Sequence, residues 1–184
     1  MDIFKERRSI RKFTQEKISP ELLDYIADCG RLAPSGANLQ PVKLCIITEK
    51  VKEIFPHTKW AGYLPDWSPS EDEAPTAYIA IIGDSDIKPN GDFELDAGIV
   101  GTAMTYAAES KDISSCWLGS IDRPEISKIL SLKENEKLLY LIGFGYKDQE
   151  STMTDNSQTV KYTMDEKGKI TVPKRSFKDI VSYQ

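Results

Sequence analysis

Ala77 to Gly83 and Leu138 to Gly143 are the longest apolar runs in this chain, and each has the length of a strand. Both fall well short of the roughly 20 residues a helix needs to cross a bilayer. No membrane helix is expected, so these runs have to be covered as strands by the rest of the polypeptide.

The cover alternates in type along the chain. Val42 to Thr48 and Ile113 to Leu118 are further strands, rich in β-branched and apolar residues, and the Leu138 run extends over Lys137 to Tyr146 as the longest strand. Ser19-Pro20-Glu21 supplies an N-cap and a first-turn proline, Leu22, Leu23, Ile26 and Ala27 form an apolar helix face, and Gly30 is the expected stop. Val51, Ile54 and Phe55 lie at helical spacing within Glu49 to Phe55, and Asp122 with Pro124 opens a short helix reaching Leu130. Alternation of this kind predicts an α+β or α/β sheet sandwiched by helices.

From Phe93 to Glu109, small residues (Ala97, Gly98, Gly101, Ala103, Ala107, Ala108) alternate with Val100 and Met104, almost without charge. Such a helix is buried on most sides. Its small faces admit close approach of another helix, from the same chain or from a second copy. Beyond Tyr146 the composition turns polar, which predicts a surface excursion and not a second domain. Within it, Asp165 to Lys169 reads as a turn joining Val160 to Met164 and Ile170 to Val172.

The 184 residues, 40% hydrophobic and 29% charged, suffice for one substantial core, so a single domain over 1–184 is expected. A net charge of -5 provides no basic field for nucleic acid or an anionic membrane surface. Met1 to Glu6 lacks the apolar stretch of a secretory signal, which leaves cytoplasmic residence as the default. Cys29, Cys45 and Cys116 are odd in number and widely spaced, as suits buried thiols.

The familiar catalytic signatures are missing. His57 is the only histidine, so a His-rich metal site is excluded, and no metal is expected. There is no GxSxG elbow or GxxxxGK[ST] loop, and Gly143-Phe144-Gly145 lacks the third glycine and the helix of a dinucleotide fingerprint. What remains suits an anion and a planar ligand. Arg7-Arg8-Ser9-Ile10-Arg11 sets three guanidinium groups and a hydroxyl within five residues. Guanidinium forks match phosphate, and a charged hydrogen bond contributes about 1.5 to 3 kcal/mol where a helix dipole gives about 0.3 to 1. Such a cluster also serves as a solvated, salt-bridged surface. Ala33 to Pro41 is a turn by composition, yet Asn38 and Gln40 carry amides able to read the edge of a heteroaromatic ring.

Taken together, these segments resemble the nitroreductase family. Arg7 to Phe13 matches its R-x-S-x-R-x-[FY] pattern, and Pro34 to Pro41 matches its P-S-x-x-N-x-Q-P pattern. Asp96-Ala97-Gly98, Ser115 to Gly119, Leu141 to Gly145 and Val172 to Phe177 agree in the same order, over nearly the whole chain. The resemblance implies an α+β fold with a central, mostly antiparallel sheet flanked by helices and a C-terminal tail extending toward a dimer partner. It implies FMN at the subunit interface of a homodimer, with NAD(P)H as co-substrate. Arg7, Arg8, Ser9 and Arg11 would hold the FMN phosphate and ribityl chain, Arg11 also reaching the ring, and Lys174 and Arg175 would complete the phosphate site. Asn38 would approach the flavin, Pro34, Ser35 and Ala37 would shape the opposite wall across the dimer boundary, Gln40 would belong to the same loop, and Leu118 and Gly119 would offer backbone contacts. Hydride would pass from NAD(P)H to flavin N5 and then to a small electron-poor acceptor, nitroaromatic or quinone-like, by a ping-pong cycle. Flavin would carry the chemistry without a catalytic triad. Dehalogenation, flavin conversion and simple FMN binding are the alternatives the same fold admits.

Two departures stand out. Val42 follows the Gln40-Pro41 pair where many members of that family carry an aromatic residue. Between His57 and Pro75, Trp60, Tyr63 and Trp67 sit among Gly62, Pro65 and Pro69, too irregular for a helix. These rings either line the substrate side of the flavin or pack down as a satellite core.

Overall fold

The computed structural model describes residues 2–184. After a single turn, α1 (Ile3–Glu6), come α2 (Pro20–Arg31), β1 (Val42–Ile47), α3 (Val51–Ile54), β2 (Ala77–Asp84), α4 (Glu94–Glu109), β3 (Ser114–Leu118), α5 (Arg123–Ile129), β4 (Glu136–Gly145), β5 (Ser151–Asp155), β6 (Thr163–Met164) and β7 (Ile170–Lys174). The two long apolar runs became β2 and β4, which pair antiparallel at the centre of a four-stranded sheet ordered β1-β2-β4-β3. All three pairings in that sheet are antiparallel.

The period of two in a strand explains why β2 has to be apolar throughout. Tyr78, Ala80 and Ile82 join one core with Val51 and Ile54 of α3, Ile126 of α5 and Trp60. Ala77, Ile79 and Ile81 join a second core with Leu23 and Ile26 of α2 and Ala97, Val100, Met104 and Ala108 of α4. The sheet is therefore a middle layer with helices on both faces. In β4 an extra residue, Leu139, enters between the partners of Ile81 (Tyr140) and Ile82 (Leu138). Because of this bulge Leu138 and Leu141, three residues apart, share one core.

Local signals set several boundaries. Ser19 Oγ accepts the Leu22 N–H at 3.4 Å with Pro20 in the first turn of α2, and Asp122 accepts the Glu125 N–H at the start of α5. Gly30 does not stop α2, which runs on to Arg31. A Cβ at Gly30 would lie 2.7 Å from Met104 Cγ, so the glycine marks the close crossing of α2 over α4. The small residues of α4 face this chain's own sheet as well, where a Cβ at Gly101 would fall 2.2 Å from the Trp117 ring. The Glu49 to Phe55 helix is shorter than its spacing predicts, as α3 gives way to a 3-10 turn at Phe55–His57 around Pro56.

The polar stretch after Tyr146 forms a second, small sheet ordered β5-β7-β6. Its β6–β7 hairpin falls where the Asp165 turn predicts it, with Asp165 Oδ1 accepting the N–H groups of Lys167 and Lys169, each at 2.9 Å. The parallel pairing of β5 with β7 has no forerunner in the sequence pattern. All three cysteines are free, Cys116 buried and Cys29 and Cys45 half-buried. Among the described residues no helix is long and apolar enough to cross a membrane, and no group of three or more His, Cys, Asp or Glu is placed to hold a metal ion.

Candidate functional site

The arginine segment lies against an open strand edge. β3 is the last strand of the central sheet, and its outer side receives Ser9, bridged in parallel to Ser115, while the Ile10 N–H donates to Ser115 O at 3.0 Å. Ile10 and Phe13 are the apolar anchors, 5% and 1% exposed. Further on, the Phe13 N–H donates to Glu73 O and the Thr14 N–H to Tyr146 O. Along this run the anchors are buried and the arginines are only partly covered.

Those arginines hold unspent hydrogen-bonding capacity. Arg8 donates through both terminal nitrogens to carbonyls of its own turn, Arg7 O at 2.5 Å and Lys5 O at 2.6 Å, while its Nε is buried without a partner. Arg11 Nη1 is likewise buried and unpartnered, as are the hydroxyls of Ser115 and Ser151. The Arg7 guanidinium lies 5.6 Å from the Tyr106 ring centroid, and that of Arg11 lies 4.6 Å from the ring of Tyr162. A cavity of about 210 Å³ opens beside Arg8, lined also by Ser114, Lys147, Gln149 and Ser151. Glu109 also lines it, and burial holds its carboxyl above the ordinary range against the pull of Lys147, Arg7 and Arg8. Burial likewise pushes the Cys116 thiol up.

The Pro34 to Pro41 loop is strained in a specific way. Ala37, Asn38 and Gln40 hold φ values of 49°, 55° and 51°, the left-handed region that non-glycine residues rarely enter. Ser35 Oγ accepts the Gln40 N–H at 3.0 Å, Gln40 Nε2 donates to Asn38 O at 3.2 Å, and the Gly36 N–H reaches Asp96 Oδ1 at 3.4 Å. Asp96 is buried and paired with Lys88 at 2.9 Å, so the first turn of α4 braces the loop. Strain of this type persists where surrounding bonds impose it, and it gathers at ligand sites. The loop leads into β1, however, and β1 and β3 are opposite edges of the central sheet. Three strand spacings of about 4.8 Å separate those edges, so the loop and the arginine segment of one chain stand well apart.

Leu118 is buried at the end of β3 and Gly119 is exposed just beyond it. Arg123 Nη2 donates to Gly119 O at 3.1 Å and to Leu139 O, the bulge residue, at 2.8 Å. Lys174 ends β7, and Arg175 follows with Nη2 donating to Asp179 O at 2.7 Å. The opposite end of β7 is the one near Arg11. Gln149 Oε1 accepts the Arg11 N–H at 3.1 Å, and Gln149 Nε2 donates to Gly168 O at 3.2 Å. Among the described residues no hydrogen bond or ion pair joins Lys174 or Arg175 to Arg7, Arg8 or Arg11.

The aromatic segment divides. Trp60 is 8% exposed, packs in the core with Phe55 and donates through Nε1 to Thr58 Oγ1 at 2.9 Å. Its neighbours run alongside the turn after β3, with Thr58 bridged to Ile121 and the Lys59 N–H on Ser120 O at 2.9 Å. Tyr63 is exposed, and Trp67 is half-buried with Lys12 Nζ 5.9 Å from its ring. The Tyr63 N–H donates to Tyr162 OH at 3.3 Å, and the two rings meet edge to face at 5.1 Å. Gln149 and Tyr162 thus belong to the neighbourhood of the arginines, although nothing in the polar tail marks them by period or motif.

The antiparallel central sheet with helices on both faces makes this an α+β protein. The chain belongs to the nitroreductase family, whose profile, described as "Nitroreductase family", matches residues 4–146. It is 29% identical over 153 residues to the FMN reductase (NAD(P)H) of Bacillus subtilis strain 168, covering 73% of this chain and 59% of that one. It is 27% identical over 159 residues to the NADPH-flavin oxidoreductase of Vibrio harveyi, covering 77% of this chain and 63% of that one. In fold it is similar to the FMN-dependent nitroreductase of Clostridium difficile R20291, with a TM-score of 0.68, 24% identity, and 85% and 92% of the two chains covered.

Proposed function

We propose that this protein is a cytoplasmic, homodimeric FMN-dependent oxidoreductase, one folded unit per chain, that takes hydride from NAD(P)H and passes it in ping-pong order to a small nitroaromatic or quinone-like acceptor. Family membership and the names of the flavin-using relatives support the reaction class. The observation that carries the reading is local: Arg8 Nε and Arg11 Nη1, in the segment that lies along the β3 edge, and Ser115 Oγ of β3 are each buried without a partner. A buried polar group left unpaired costs about 1 to 3 kcal/mol, more when charged, and an anionic or carbonyl-bearing ligand would relieve that cost at whichever of these donors it reached. These donors fit FMN, which has a phosphate at one end and carbonyl acceptors at the other.

When bound, FMN supplies the hydride chemistry. In this reading Arg7, Arg8 and Ser9 hold the phosphate and ribityl chain, with Lys174 and Arg175 contributing from the C-terminal end of β7. Arg11 serves the ring, where a guanidinium favours the negative charge gained on reduction. Leu118 and Gly119 present backbone groups, and Arg123 holds Gly119 in place. Pro34, Ser35, Ala37, Asn38 and Gln40 form the facing wall. Because they stand at the opposite sheet edge from the arginines of their own chain, the wall comes from a second copy. Tyr63 and Trp67 border the acceptor, and Trp60 anchors their segment to the core.

Purification followed by release and identification of the flavin, then anaerobic titration with NADH and with NADPH, tests the assignment. The expected result is FMN that is reduced by at least one nicotinamide and reoxidised by a nitroaromatic or quinone. Protein that takes up no added FMN, or holds FMN that neither nicotinamide reduces, would falsify it.

A further inference from the structure

Tyr162 lies outside the 4–146 stretch matched by the family, in the polar tail, yet its ring lies over the guanidinium of Arg11 at 4.6 Å. Three bonds fix this arrangement. The Arg11 N–H is tied to Gln149 Oε1, Gln149 Nε2 is tied to Gly168 O, and the Tyr63 N–H is tied to Tyr162 OH. Tyr162 also packs against the core that contains Ile10 and Phe13, the anchors on either side of Arg11. The tail therefore pins Arg11 at its backbone and stacks on its side chain, while Nη1 keeps a buried, unpartnered N–H.

A stacked guanidinium keeps its donors in the plane, at the edge of the fork, and loses the freedom to swing into solvent. Free arginine side chains carry much rotamer entropy, so immobilising one beforehand lowers the cost of each bond it later makes. An arginine held in this way acts on a ligand as a fixed charge in a fixed direction.

We propose that Tyr162 is a positioning residue for the flavin chemistry, holding Arg11 so that its free edge favours the reduced cofactor. This rests on the function proposed above. It makes the tail, and not only the family-matched region, a working part of the site. The phenol oxygen and the ring have separate duties: the oxygen fixes Tyr63, and the ring fixes Arg11.

Tyr162→Leu and Tyr162→Phe separate these duties, the first removing ring and oxygen, the second only the oxygen. In FMN-loaded protein, Tyr162→Leu is expected to weaken the preference for reduced over oxidised FMN by about tenfold, a fall of about 30 mV in the two-electron midpoint potential. Tyr162→Phe should keep the wild-type potential. In an Arg11→Met background, Tyr162→Leu should shift the potential no further. A wild-type potential in Tyr162→Leu, or an equal shift in both backgrounds, overturns the proposal. The geometry is checked without flavin by hydrogen exchange at the Tyr63 amide of the apoprotein. Both Tyr162 variants should accelerate it, and unchanged exchange refutes the tie. Apoprotein that shows this acceleration but never binds FMN defeats the functional reading and leaves the arrangement itself intact.

Discussion

Arg11 is fixed by Gln149 at its backbone and by Tyr162 at its guanidinium, and one of its nitrogens still lacks a partner. A hydrogen bond from a charged donor contributes about 1.5 to 3 kcal/mol. Arg11→Met should accordingly weaken FMN binding by about 10- to 150-fold, read by titrating apoprotein with FMN. Affinity within twofold of wild type would remove Arg11 from the site. Gly101 is decisive in the opposite sense, through the atom it lacks. Alanine would favour the helix by about 1 kcal/mol on propensity alone, but its Cβ would meet the Trp117 ring at 2.2 Å and Ile81 at 2.9 Å. Overpacking costs about 1 to 3 kcal/mol and should win, so Gly101→Ala is expected to lower the urea midpoint. A rise in midpoint would show that the indole yields freely.

Strands β1, β2 and β4 are joined at one end by charge as well as by their ladders. Asp84, at the end of β2, accepts from Lys43 of β1 at 2.7 Å, and Lys43 also reaches Glu136 of β4 at 3.1 Å. The Lys43 bond holds the Asp84 carboxyl below its ordinary range, aided by the Asp86 N–H and Asn135, and Glu136 is lowered by the Lys133 backbone and by Lys43. A carboxyl whose pKa is lower folded than unfolded lends stability above its unfolded value of about 3.9, and loses it as pH falls through the lower folded value. Lys43→Met should therefore lower stability near pH 7 and move the acid-unfolding midpoint upward. An unaltered acid limb, followed by circular dichroism, would show the cluster to be inert. The α2–α4 crossing is a second joint between elements, and it depends on Gly30 meeting Met104.

The two segments proposed for the site lie at opposite edges of one sheet, and under the proposed function this makes the assembly part of the chemistry. Leu32, Leu39, Leu95, Phe177 and Ile180 are exposed apolar side chains that the proposed second copy could cover. Sedimentation should find a dimer at micromolar concentration, and FMN affinity should fall on dilution into the monomer range. A monomer binding FMN with undiminished affinity at every concentration would require the site to close within one chain.

Period and punctuation carried much of this molecule. The runs at Ala77 and Leu138 are apolar at every step because both faces of the central strands are covered, and Ser19, Pro20, Asp122 and Pro124 act on their own neighbours within one turn. The arginine segment and the Pro34 loop stood out as candidates for the same reason, as each is a short stretch set apart by its residue types. Position across the sheet was not legible. Gly30 looked like a stop because a glycine's local preference is visible in sequence, while the Met104 side chain that requires its bare face lies 74 residues away. Gln149 and Tyr162 reach Arg11 from 138 and 151 positions along the chain, through a loop path that no periodicity encodes. Hydrogen-bond register between distant segments follows from packing of the whole, and it was packing that set the arginines on one edge of the sheet and the loop on the other.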